Sequence, residues 1–173
     1  MGWLIFFGIL FLFILGGLIV SKQVKENEQS LKSKGFDLSA KIVTGKYVGG
    51  HPKIDNVLES TIIFPKDEYL QIMAYPSGIT SMPVTKGIIS IEKIKNITIE
   101  DNTSLEKRIT AGRLLLVGVF ALAWKKKKKN ESAFLIIEWQ DGKFGHETTF
   151  EFEGKGSMQN ANTARNKLIE IAK

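Results

Sequence analysis

The sequence predicts an α+β protein: an N-terminal transmembrane helix, then an antiparallel β-barrel or sandwich finished by a C-terminal helix. Three observations carry this. Residues 2–20 hold no charge, no Asn or Gln and no Pro. The middle of the chain breaks into short β-branched segments divided by Gly, Pro and Asp. The last stretch, 160–173, sets Ala161, Ala164, Leu168, Ile171 and Ala172 near helical spacing.

The opening segment sets the organisation. At about 1.5 Å of rise per residue, 2–20 is just long enough to cross a hydrocarbon core roughly 30 Å thick. A cleaved secretory signal would open with Lys or Arg and end at a small-residue site, and neither is present. A core helix would keep one polar stripe, whereas Phe, Leu and Ile occupy every side here. The segment therefore reads as an anchor, through Trp3, Leu4, Phe6, Phe7, Leu10, Phe11, Phe13 and Leu18. Lys22, Lys25, Lys32 and Lys34 follow it closely and no basic side chain precedes it, so the N-terminus is expected outside and the body in the cytoplasm of a cell membrane. Gly8, Gly16 and Gly17 lack GxxxG spacing and read as tolerated glycines in a lipid-facing helix.

Beyond the anchor (1–21), a polar helical stalk is expected over 22–35, closed by Gly35 at the helix C′ position. One domain is expected over 36–173, large enough for a core of its own. The chain has no Cys, which excludes disulfides, thiolate metal sites, cysteine nucleophiles and lipidation through cysteine. A net charge of +6 suits an anionic leaflet beside an anchored body better than nucleic acid.

Within the domain, 36–48 alternates as a first strand, with Phe36, Leu38, Ala40 and Ile42 on one face. A loop with Gly49 and Gly50 leads to a hairpin made by 61–64 and 69–75. The isoleucine-rich run 87–100 gives a strand to Ile91, a break at Glu92 and Lys93, and a strand over 95–100. Asp101, Asn102 and Thr103 read as a turn and 105–110 as another strand. Residues 133–140 and 147–153 form a hairpin turned at Asp141 and Gly142, and an amphipathic helix over 160–173 packs on the sheet.

A second apolar block, 111–124, is too short to span a membrane unaided and runs directly into five lysines. Two readings stay open: a buried helix or strand pair, or an apolar face dipping into the leaflet while the lysines meet headgroups. Arg113, Trp124, Lys125, Lys126, Lys127, Lys128 and Lys129 are the candidate lipid or partner contacts.

Nothing assembles a catalytic, cofactor or metal site. His51 and His146 fall in different predicted turns, with no third ligand at metal spacing, and read as exposed loop residues. Glu147, Glu151 and Glu153 share one strand face and read as solvated. The glycine pair Gly49 and Gly50 and the GKG at 154–156 lack the phosphate-loop pattern, and no serine has a nucleophile-elbow context. The lysine run has only Trp124 beside it, unlike the interleaved aromatics of nucleic-acid binders.

The segment Ile109, Thr110, Ala111, Gly112, Arg113, with the leucine-rich run, the lysine block and FLIIEW, resembles bacterial PH-like or GRAM-like domains. The resemblance covers most of 36–173 and its distinctive motif about thirty residues. It implies a pleckstrin-homology-like fold. A span, a charged stalk and a small cytoplasmic body are also similar in architecture to the membrane-bound immunity proteins against the bacteriocin sublancin, from which no functional residue is carried over. The expectation is a non-enzymatic membrane protein without cofactor, whose partners are membrane lipid and a bacteriocin peptide or membrane-protein target. The alternative is an anionic-lipid or envelope-stress adaptor.

Overall fold

The computed structural model describes residues 2–76, 81–110 and 131–173, without the side chains at 2–5, 8–9, 12–13 and 109–110. In chain order the elements are α1 (Gly2–Ser33), β1 (Ile42–Gly49), β2 (Leu58–Lys66), β3 (Tyr69–Ala74), β4 (Val84–Ser90), β5 (Ile94–Asp101), α2 (Asn102–Thr110), β6 (Ser132–Asp141), β7 (Phe144–Glu153) and α3 (Ser157–Ile171). The class is α+β, with seven antiparallel strands in the order β4-β3-β2-β1-β7-β6-β5.

Among the described residues no ladder closes this sheet into a barrel, one of the two expected forms: β4 and β5, joined by a 3₁₀ turn at Ile91–Lys93, are its two edges. Both edges nevertheless feed one core. Ile89 of β4 and Ile97 of β5 belong to the same buried cluster as Ile63, Leu135 and Phe150, so the sheet curls about that cluster. Ala161, Ala164 and Leu168 of α3 enter the same core, which is why their spacing was legible as one apolar face. On β6 the burial is nearly continuous, because Leu135 and Ile137 face that core while Phe134 and Ile136 face the side carrying α2.

One expected strand starts late and another is a helix. The alternation over 36–48 begins its ladder only at Ile42, since Asp37 Oδ1 accepts bonds from Ser39 N and Oγ and holds Leu38–Ala40 in a 3₁₀ turn. Residues 102–110 are helical rather than extended. Asp101 Oδ1 accepts from Ser104 N at 2.6 Å, capping α2, and Glu106, Lys107 and Arg108 are good helix formers.

The junction of α1 with the sheet is made where Gly35 was expected to stop the helix. Gly35, at φ 80°, donates to Lys32 O at 2.9 Å, and Phe36 N donates to Leu31 O at 3.1 Å. This is a Schellman closure, and its usual apolar contact is present: Leu31 and Phe36 are both buried with Phe64 and Met73. Lys66 reinforces it, bonding Lys34 O at 2.8 Å while its ammonium lies 4.9 Å from the Phe36 ring centroid.

Gly35→Ala is expected to cost about 1–2 kcal/mol, because the left-handed backbone is strained for any Cβ although one placed there would meet only the Lys66 side chain, at an ordinary 3.8 Å. Leu31→Ala should cost more, about 2–5 kcal/mol. Urea denaturation in a mild detergent checks both, with the larger loss for Leu31.

Candidate functional site

Three features of the described residues carry surface or chemistry beyond ordinary packing. The first is α1. Phe6, Phe7, Leu10, Phe11, Ile14, Leu15, Leu18, Ile19 and Val20 are all exposed, and they occupy every side of the helix. Exposed apolar area on this scale is uncommon in a water-facing helix. Among the described residues no helix is long and apolar enough to cross a membrane. Trp3, Leu4 and Phe13 lie among the side chains outside the description. Past Val20 the helix turns polar, and Glu28 lies close enough to half-buried Tyr75 to raise its pKa, after the larger effect of burial.

The second feature corrects the reading of the histidines. His51 is buried, not exposed. Its Nδ1 accepts from Lys53 N at 3.1 Å, which leaves the proton on Nε2 to be donated to Ile88 O, also at 3.1 Å. One imidazole thereby ties the β1–β2 loop to edge strand β4. Its ring lies 5.4 Å from that of Trp139 on β6, and Trp139 lies 4.5 Å from the ring of His146 on β7. Gly87 makes room for this: a Cβ there would come within 2.7 Å of the His51 ring. Tyr47 completes the site, accepting from His51 N and donating to Ile54 O, and burial pushes its pKa up to about 12.

The third feature is a charge cluster on the α2 side of the sheet. Arg108 pairs with Glu138, with Glu147 at 3.0 Å and with Glu100 at 3.5 Å, all four side chains being largely buried. Glu147 is therefore not on a solvated face, and Glu151 on the same face of β7 is buried too, accepting from Ser132 Oγ at 3.1 Å. Glu153 alone of the three is exposed. The guanidinium occupies the space between the carboxylates, and among the described residues no group of three His, Asp or Glu is placed to hold a metal ion.

The structure thus brings together His51, Trp139 and His146, and Arg108 with three glutamates, none of which the sequence patterns had linked. Arg113, Trp124 and Lys125 to Lys129, with the whole block 111–124, lie outside the described residues. No family model matches the chain, and neither does any curated protein or solved structure.

Burial holds the His51 pKa below its usual value, helped by His146 and Lys53 and opposed by the bond to Ile88. The unfolded chain therefore takes up a proton that the folded site refuses, and stability present above about pH 6.5 is lost as pH falls through that range. Thermal melts from about pH 7.5 down to about pH 5.5 should show this loss, and His51→Gln should flatten the slope. Arg108→Met, which leaves three carboxylates facing one another, should cost about 1–3 kcal/mol by urea denaturation, and adding Glu138→Gln should recover part of that loss.

Proposed function

We propose that this chain is a non-enzymatic, single-span membrane protein that holds a PH-like body on the cytoplasmic side of a cell membrane. Its most concrete form is a bacteriocin immunity protein acting at that membrane. The observation that carries the reading is the first helix: a charge-free run over 2–20 whose described side chains are exposed and apolar all round, followed by Lys22, Lys25, Lys32 and Lys34. Lipid is the solvent that such a surface favours, and positive flanks stay on the cytoplasmic side.

The PH-like reading is supported by the order of elements. Four strands form one meander, three more form a second, β1 pairs with β7, and a final helix packs across β5, β6, β1 and β7. Immunity rests on the likeness of architecture: a small body tethered where a membrane-active peptide would meet its target. Protection would come from binding the peptide or shielding that target. Five consecutive lysines at 125–129 favour a second reading, in which the body reads anionic headgroups through Arg113 and these side chains.

The chain is expected to stay with the membrane through carbonate and high-salt extraction. A single cysteine at Lys155→Cys, in a protein that has none, should react with an impermeant maleimide only after lysis. Labelling in intact cells would reverse the orientation, and release by salt would remove the anchor. Expression in a sensitive bacterium should raise survival against a cognate peptide, and no protection across a broad bacteriocin panel would overturn immunity. Replacing Lys125 to Lys129 with Gln should abolish liposome binding by the excised body, residues 22–173, and unchanged binding would end the lipid reading.

A further inference from the structure

The seven-stranded sheet splits at its centre. β1 and β7 pair from Gly49↔Thr149 to Lys46↔Glu151, and there the ladder between them ends, although β1 runs back to Ile42 and β7 runs on to Glu153. Each strand keeps its other neighbour, β2 for one and β6 for the other. The gap opens immediately past Gly45, whose φ of 73° and missing Cβ let β1 pass against the Glu151 carbonyl. Below that point lies a cleft of about 540 Å³ bordered by α3, a volume in the range of small-ligand sites.

Its lining is of two kinds. Ile42, Phe152 and Ala164 give a buried apolar floor. The walls are charged, and the charges do not cancel in the same way. The lining holds three lysines and three glutamates: Lys46 is held by Glu59 at 2.7 Å, Glu151 accepts from Ser132 and Glu153 is also engaged, whereas Lys41 and Lys167 line the cleft without an ion pair among the described residues. Among the described residues the cleft therefore presents two lysines without an ion pair, an apolar surface, and strand segments past the end of the β1–β7 ladder.

We propose that this cleft binds the C-terminal end of an extended peptide. The terminal carboxylate pairs with Lys41 and Lys167, the last apolar side chain rests on Phe152 and Ala164, and the peptide backbone takes up ladder groups that β1 and β7 leave to each other no longer. Asn160, on the α3 wall, supplies an amide for the peptide main chain. The site is built by the sheet and α3, so it stands independently of how α1 is used.

The test is titration of the isotope-labelled full chain in detergent with acetyl-Ala-Ala-Val-Leu as the free acid, as its C-terminal amide, and with acetate alone, read by amide chemical shifts. The free acid should move the resonances of Ile42, Phe152 and Ala164 in a saturable way, and the amide should bind about tenfold more weakly or worse. Lys167→Glu and Lys41→Glu, both at partly or fully exposed positions, should weaken the acid to a similar degree while leaving the rest of the spectrum in place. Equal binding of acid and amide, equal shifts with acetate, shifts elsewhere in the sheet, or no shift at all would each overturn the proposal.

Discussion

The contact on which the arrangement depends is small: Leu31 and Phe36, brought together by the left-handed turn at Gly35, buried against Phe64 and Met73. A helix that simply ran out into solvent would leave the apolar segment free to swing about the body. Here the closure satisfies the last helical carbonyls and places two side chains of the junction inside the sheet's second core. Lys66 bonds across the same joint from β2. The direction of α1 is thus fixed relative to the strands, and whatever solvent receives the apolar end also sets how the body is presented.

Polar side chains handle what the backbone of the sheet leaves open. The two edge strands share a core but no ladder, and His51 is the side chain that reaches from the β1–β2 loop to β4 while resting near Trp139 of β6. A neutral imidazole suits the position because one nitrogen must accept and the other donate. On the opposite side of the sheet Arg108 gathers carboxylates from β5, β6 and β7 under α2. Among the described residues the ladder of the central β1–β7 seam stops at Lys46 and Glu151, and it is past that point that the cleft lies.

Much of this fold was legible from local pattern. The β-branched runs gave most strands, Glu92 and Lys93 marked the break between β4 and β5, and the small residues at 161 and 164 marked the buried face of α3. Where the reading went astray, a short polar side chain had decided the backbone. Asp37 and Asp101 each accept from a nearby serine and turn an apolar alternation into a helical turn, and the spacing Asp101 to Ser104 was the available signal. The candidate sites were less legible because they are made by distant partners. The burial of His51 depends on the absence of a side chain at Gly87, and the pairing of Glu147 depends on a helix read as a strand. The charge-free opening run, by contrast, needs no partner to be recognised.

Because the chain contains no cysteine, the rigidity of the α1 joint is directly measurable with two spin labels, one at Lys25→Cys on the stalk and one at Lys95→Cys on β5. Pulsed electron-electron double resonance should give a single narrow distance distribution that broadens when Leu31 is also replaced by Ala. A distribution already broad with Leu31 in place would contradict a fixed joint and, with it, the orientation of the body relative to its apolar helix.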